Sequence, residues 1–323
     1  MGRGAFASNP ARQSLEALKL ESPASAWEFH MLRLTSRRLS LSRAATSIIG
    51  AHELHLFADE SYLIESFRNQ GTLLDLVNAC AADKDGTHGL GTSGQGDGMD
   101  ESLAMFFAVE LLRTLEALHA HGIVHCDLKP DNILLRLDPS SLTSPYTSSG
   151  ASGWDGKGIS VIDFGRAIDM RAFTPQVGFI ADWPTSSADC AEMRECRPWT
   201  YQADYHGAAA VLHTLLFGRY IDTVVDTRAT AGVGAGQGKV WRLRESLKRY
   251  WQGEIWGEAF ALLLNPTRFM EGVEGARMPV LKGLRSVREK MELWLEGNGE
   301  RGGVGLRARL GRVEAFVNGA RRR

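Results

Sequence analysis

Between His125 and Asn132 the chain reads HCDLKPDN, and Asp163-Phe164-Gly165 follows further on. Asp127 can take a proton from a hydroxyl group. Asn132 can offer an amide oxygen to a magnesium ion, and Asp163 can offer a carboxylate to the same ion. Lys129 can neutralise charge on a group in transit. A base, a neutralising cation and two oxygen ligands suit transfer of the ATP γ-phosphoryl group to an alcohol. DFG alone recurs by chance. The longer string fixes several positions at once, and both motifs occur in the order the chemistry needs. The plainer reading is an ordinary loop in which the same side chains satisfy one another.

Those residues need rigid elements around them. Leu103, Phe107, Leu111, Leu115 and Leu118 recur near helical spacing between Glu101 and His121, and Gly122 is the stop. Ile123-Val124 and Ile133-Leu134-Leu135 read as short buried strands flanking the loop, and Ile159–Ile162 as the strand entering DFG. Gln202 to Phe217 reads as an apolar helix ended by Gly218. Asp204, at its start, is placed to hold the backbone of the catalytic loop; an acid favoured by the helix dipole is the competing reading. Trp241 to Arg323 should form two or three amphipathic helices, with Trp251, Trp256, Phe260, Leu263, Leu284 and Leu295 in a helical core.

Upstream, Gly2-Arg3-Gly4-Ala5-Phe6-Ala7 has a GxGxxA pattern ahead of Lys19. A glycine-rich turn at Gly2, Gly4 and Ala7 would bring backbone N–H groups to the phosphates. Lys19 on the next strand would bind the α- and β-phosphates. Ser22-Pro23 reads as a helix start, with Ser22 as N-cap. Trp27, Met31 and Leu34 would form one face of that helix, and Glu28 is the candidate partner of Lys19. No strand precedes the glycines, so a chain truncated inside its small lobe is expected. Glu53 to Ser66 reads as two paired strands and Thr72 to Ala82 as a short helix. Backbone groups near Ser66 and Arg68 would meet the adenine ring, with Glu65 near the residue guarding the rear of that pocket.

The whole reads as an α+β, bilobal chain. Residues 1–68 form a small β-rich lobe, and residues 69–323 a larger helical lobe with loop-like, Gly/Ser/Thr-rich insertions at 83–100, 138–158 and 226–238. The middle insertion should be exposed to solvent. Its 323 residues can bury a large core. A formal net charge of -1 gives no case for a nucleic-acid or membrane partner. Cys80, Cys126, Cys190 and Cys196 form no CxxC pair, which favours a reducing compartment. No apolar run is long enough to span a bilayer. Phe6 stands where a myristoylation signal wants Ser or Thr, and Arg321-Arg322-Arg323 reads as a solvated end.

The string VIDFGRAIDM from Val161, DCAEM from Asp189, PWTYQADYHG from Pro198 and LFGRY from Leu216, with GAFA and the helix string WEF, closely resembles the kinase domain of the BUB mitotic checkpoint serine/threonine kinases. The resemblance spans roughly residues 2 to 320 outside the insertions and is strongest from His125 to Tyr220. It implies a eukaryotic protein kinase fold, ATP and Mg2+ as cofactors, and a serine or threonine acceptor. In that family the glutamate of Trp-Glu-Phe pairs with the lysine, which supports Glu28. The resemblance also implies kinetochore and checkpoint partners, a histone tail as substrate, and a nuclear, chromosomal location, cytoplasmic otherwise. Cys126 stands where many kinases carry an arginine that pairs with a phosphorylated activation loop. Activity should therefore not need a phosphate in Arg171–Glu192 docking at residue 126. Thr185 and Ser186 could shape the substrate groove or be ordinary polar loop residues.

Two further readings share these residues. One is a pseudokinase scaffold of the same family, which retention of Lys19, Asp127, Asn132 and Asp163 argues against. The other is a small-molecule phosphotransferase, against which Lys129-Pro130 and the long chain after DFG weigh.

Overall fold

The computed structural model describes residues 3–9, 14–83, 90, 98–231, 239–270, 278–301 and 304–320. The N-terminal part is an antiparallel sheet of β1 (Arg3–Asn9), β2 (Ser14–Glu21), β3 (Ala51–Leu56) and β4 (Ser61–Ser66), ordered β1-β2-β4-β3. Helix α1 (Trp27–Leu39) packs against this sheet through buried Met31, Leu32, Leu34 and Leu39.

Three expectations change here. Gly4 and Ala7 do not form a turn. They lie in β1, opposite Lys19 and Glu16 of β2, and Gly2 lies outside the described residues. A short run of small residues satisfies an extended ladder as readily as a phosphate-binding turn, and pairing with β2 decides for the ladder. Ser22-Pro23 does not start the helix. The N-cap is Ala26, because Ser25 is held by Ser61 at the start of β4: Ser25 N–H donates to Ser61 Oγ (3.1 Å), which donates to Ser25 C=O (3.1 Å). With that tie, residues 22–26 stay outside the helix in bends and irregular backbone. Trp27 is also off the buried face. It is 45% exposed, and its indole Nε1–H reaches the carbonyl of Ala167 (2.9 Å).

The helical part begins with α2 (Leu73–Ala82), where Thr72 and Asp75 form a capping box. Its axis is α3 (Glu101–Ala120), capped by Asp100 and buried on nearly all sides. A helix buried around nearly its whole girth belongs inside a larger body. β5 (Ile123–Val124) pairs with β8 (Ile168–Asp169), and β6 (Ile133–Leu137) with β7 (Lys157–Val161). These two pairs carry the loops that bear the motifs. Then come α4 (Ala191–Arg194), α5 (Gln202–Phe217), β9 (Thr223–Val225), α6 (Thr227–Ala231) and β10 (Trp241–Leu243). Helices α7 (Gly253–Leu264), α8 (Leu281–Asn298) and α9 (Leu306–Ala320) complete the chain. Gly218 ends α5 in the left-handed region at φ 71°, the conformation glycine adopts without penalty. Trp251, Trp256, Phe260, Leu263, Leu284 and Leu295 are all buried in the core expected for them.

Much of the 138–158 stretch is exposed, as expected, but two large aromatics anchor it from inside. Trp154 is fully buried and Tyr146 nearly so, and both rings pack edge-on or tilted against Phe106 of α3. The Trp154 indole N–H finds the carbonyls of Ser144 and Pro145. Gly/Ser-rich composition concealed two large aromatics that anchor the loop. Of 83–100, Asp83 accepts from Leu90 N–H (2.8 Å) and Met99 is buried. Of 226–238, the first residues enter α6. Residues 84–89, 91–97 and 232–238, and Arg321–Arg323, lie outside the described residues.

Candidate active site

The catalytic loop is built from its backbone outwards. Asp204, fully buried in the first turn of α5, accepts from His125 N–H (2.8 Å) and Cys126 N–H (2.7 Å). His119 of α3 also lies on Asp204, Nε2 to Oδ2 at 3.0 Å. Two consecutive amides fixed by one carboxylate hold Cys126 at φ 63°, a strained conformation for a non-glycine residue. Gly207, one turn along α5, lets the helix approach: a Cβ there would lie 2.7 Å from the carbonyl oxygen of Leu128. His125 Nε2 faces the carbonyl of Ile162 (2.9 Å), and Nδ1 accepts from Asp127 N–H (3.2 Å). A carbonyl only accepts, so these partners assign the proton to Nε2. His125 thereby links the Asp127 loop to the strand entering DFG, and stacks edge-on against Phe164 (4.8 Å).

The chemically competent side chains meet above this frame. Asn132 Nδ2 donates to the backbone oxygen of Asp127 (2.9 Å) and to its Oδ2 (3.0 Å). Lys129 Nζ donates to the same Oδ2 (2.9 Å), and exposed Arg166 lies 3.6 Å from Oδ1. Lys19 Nζ bridges Glu28 Oε2 (2.6 Å) and Asp163 Oδ1 (2.9 Å). Asp163 itself sits at φ 65°, turned out of β7 in the left-handed region. Two groups result, Lys19–Glu28–Asp163 and Lys129–Asp127–Asn132, and the backbone bond from Ile162 N–H to Asn132 C=O (3.0 Å) holds the 125–132 loop against the strand that enters the 163–165 turn.

Charges in this cluster are strongly coupled. Burial opposes the Lys19 ammonium, but the Glu28 and Asp163 carboxylates outweigh it and hold its pKa above the usual lysine value. Burial likewise works against Asp163, yet the Lys19 hydrogen bond and charge hold that carboxyl below its usual range. Glu28 moves upward because burial exceeds the relief from Lys19. Glu65 pairs with Ala17 in the ladder, two residues from Lys19 and on the same face of the sheet. It is 8% exposed, and burial, followed by repulsion from Glu28, pushes its carboxyl up to about 7.

At the lobe connection, Ser66 N–H donates to Gly50 C=O (2.8 Å), so that donor is committed to the sheet and does not face a base. The Arg68 guanidinium pairs with Asp138 (3.1 Å). A cavity of about 920 Å³ borders the other side of Asp127 and Lys129, lined also by Arg166, Trp183, Trp199 and Tyr220.

The residues fit magnesium and a nucleotide. The Asn132 amide nitrogen is spent on Asp127, which leaves its oxygen available as a hard donor, and the Asp163 carboxylate offers another. Among the described residues no three His, Cys, Asp or Glu side chains cluster as a metal cage. A pair of hard oxygen donors completed by phosphate oxygens and water is how magnesium is usually held.

The protein kinase domain family matches residues 37–231. The chain belongs to the protein kinase family. This kinase chain is 45% identical to the spindle assembly checkpoint serine/threonine-protein kinase bub1 of Schizosaccharomyces pombe over 93% of its own length, covering 27% of that relative. It is 42% identical to the corresponding BUB1 of Saccharomyces cerevisiae over 82% of its length, covering 25% of it. With the mitotic checkpoint kinase BUB1 of Arabidopsis thaliana the identity is 32%, covering 91% of this chain and 52% of the relative. The kinase chain thus spans about a quarter of the length of the two fungal relatives. Among solved structures, the BubR1 kinase domain aligns with a TM-score of 0.71 at 27% identity, covering 98% of this chain and 81% of that one.

Sequence reading did not reach His119, Arg38 or Asp169, nor the Trp27 contact with Ala167. A histidine six residues before His125 carried a usable signal, since a buried carboxylate holding two amides leaves lone pairs to fill. The others are contacts between segments far apart in the chain.

Proposed function

We propose that the chain is a serine/threonine protein kinase domain of the mitotic checkpoint type, transferring the ATP γ-phosphoryl group to a protein hydroxyl. The observation that carries this reading is the double bridge of Lys19, to Glu28 at 2.6 Å and to Asp163 at 2.9 Å. It joins the small lobe to the metal-ligand turn in one ion cluster beside Asp127.

In this reading residues 1–68 and 69–323 are the two lobes that enclose the nucleotide. Lys19, oriented by Glu28, binds the phosphates. The β1 backbone around Gly4 and Ala7 covers them, with Gly2 ahead of it. Ser66, through its carbonyl, and Arg68, through its backbone, flank the base. Asn132 and Asp163 would hold magnesium, which would supply charge neutralisation for the phosphates. Asp127 orients the acceptor hydroxyl and receives its proton as the new O–P bond forms and the bond to the departing ADP oxygen breaks. Lys129, already on Asp127, meets the charge of the transferring group. Asp204 acts on none of the reacting atoms; it supports the loop that does.

The fungal relatives bear spindle assembly checkpoint names, which supports protein partners in a mitotic checkpoint; a histone-tail acceptor, kinetochore partners and a nuclear location follow from the family resemblance. Among the described residues no helix is long and apolar enough to cross a membrane. The test is acceptor choice. With Mg2+ and labelled ATP, the chain should phosphorylate serine and threonine in a histone-tail peptide, leave tyrosine peptides unlabelled, and be indifferent to free choline or aminoglycoside. Labelling of the small alcohols, or competition by them, would place the activity in a different phosphotransferase class.

A further inference from the structure

Helix α1 carries Glu28, so whatever fixes α1 fixes Lys19 against Asp163. Arginine at the HCDLKPDN second position is absent, and Cys126 there can anchor no anion. Its side chain packs against the cluster of Cys190, Met193 and Trp199. Burial also holds its thiol well above the ordinary value, so it stays uncharged.

A different anchor is present at the opposite end of α1. Arg38, one residue before the end of the helix, makes a two-pronged pair with Asp169: Nη1 to Oδ1 at 2.6 Å and Nη2 to Oδ2 at 2.8 Å. The same Nη1 reaches the carbonyl of His121 (3.1 Å). Both side chains are largely shielded, at 16% and 15% exposure, and their fork geometry is the strong form of a charged pair. Asp169 is itself fixed. It pairs with Ile123 in the β5–β8 ladder, and its Oδ1 accepts from Arg171 N–H (3.0 Å). Next to it, Met170 N–H donates to Gly122 C=O (2.8 Å). At the first residue of α1, Trp27 Nε1–H bonds Ala167 C=O. Both ends of α1 are therefore tied to residues 167–169, directly after DFG, by contacts that involve no phosphate.

We propose that Arg38 is a positioning residue: its pair with Asp169, aided by Trp27 on Ala167, holds α1 with Glu28 turned toward Lys19, so the site is assembled without a modified activation segment. The proposal rests on the kinase reading for its kinetic consequence but not for its structural one. Two states of α1, docked and undocked, are the element being biased.

The test uses phosphatase-treated full chain, with Arg38→Met, Arg38→Lys, Asp169→Asn and the Arg38→Met/Asp169→Asn double variant. Expected for Arg38→Met is a fall in kcat of about tenfold with peptide KM unchanged, as for loss of one strong charged pair from the docked state. Arg38→Lys should recover part of that loss, and the double variant should be no worse than the worse single one. Hydrogen exchange should speed up in peptides from α1 and 167–170 in Arg38→Met, while phosphatase-treated wild type keeps their protection. Full kcat and unchanged exchange in Arg38→Met would overturn the inference. So would wild type that loses both activity and α1 protection on phosphatase treatment. If wild type transfers no phosphate at all, the kinase reading fails, and the exchange comparison alone still decides the role of Arg38.

Discussion

Glu65→Gln should stabilise the protein at pH 8 and leave it nearly unchanged at pH 5. Glu65 is buried on β4, its Oε1 has no hydrogen-bond partner, and Glu28 and Asp163 both repel it while Lys19 only partly compensates. Its carboxyl titrates near 7 in the folded chain against an ordinary 4.5. Between those values the folded chain keeps a proton that the unfolded chain has lost. Stability therefore declines as pH rises from about 4.5 to about 7, and the penalty is complete above that window. At about 1.4 kcal/mol per pH unit, the full penalty is roughly 3 kcal/mol, an upper figure because buried sites relax. Gln keeps the shape and removes the ionisation. For a chain of this size that corresponds to a melting midpoint roughly 4 °C higher than wild type at pH 8. Thermal unfolding without nucleotide, at half-unit steps from pH 5 to pH 8.5, measures the difference, and titrating groups not coupled to Glu65 cancel in it. A mutant–wild-type gap that is flat with pH, or a variant less stable at pH 8, refutes the assignment of Glu65 as a buried, unrelieved carboxyl.

Three other outcomes follow from the same structure. Asp204→Asn replaces an acceptor of two amides and a histidine by a group that can accept through only one atom; urea unfolding should show a loss of about 2–4 kcal/mol, and a loss within experimental scatter would contradict the role given to it. Trp154→Ala should cost about 3–5 kcal/mol in the same assay, whereas a truly solvated insertion would lose almost nothing. Lys19→Met should lower kcat/KM for ATP by roughly 10²-fold or more, with Glu28→Gln milder; equal kinetics in wild type and Lys19→Met would remove Lys19 from the phosphate site.

What could be read from the chain was local in sequence. His125, Asp127, Lys129 and Asn132 share one loop, so their spacing alone brings them together. Helix α3 and the α5 stop at Gly218 were legible because an apolar period and a glycine stop are both short-range signals. The failures have a common cause. Ser22-Pro23 satisfies every local rule for a helix start, and the Ser25–Ser61 tie overrides it from a strand beyond α1. Gly4 and Ala7 look like a turn until β2 is there to pair with. His119 meets Asp204 across 85 residues, Arg38 meets Asp169 across 131, and Trp27 meets Ala167 across 140. No spacing rule spans such distances. Composition misled in its own way at 138–158, where many glycines and serines outnumber the two aromatics that decide how the loop packs.

The sharpest test of the account compares wild type with Asp163→Asn and Asp127→Asn for phosphate transfer to a histone-tail peptide, alongside ATP affinity with and without Mg2+. The account requires magnesium to tighten ATP binding to wild type and to Asp127→Asn but not to Asp163→Asn, and transfer to fall to background in both variants. Transfer that survives in Asp163→Asn, or wild type that binds Mg–ATP yet moves no phosphate, would contradict it.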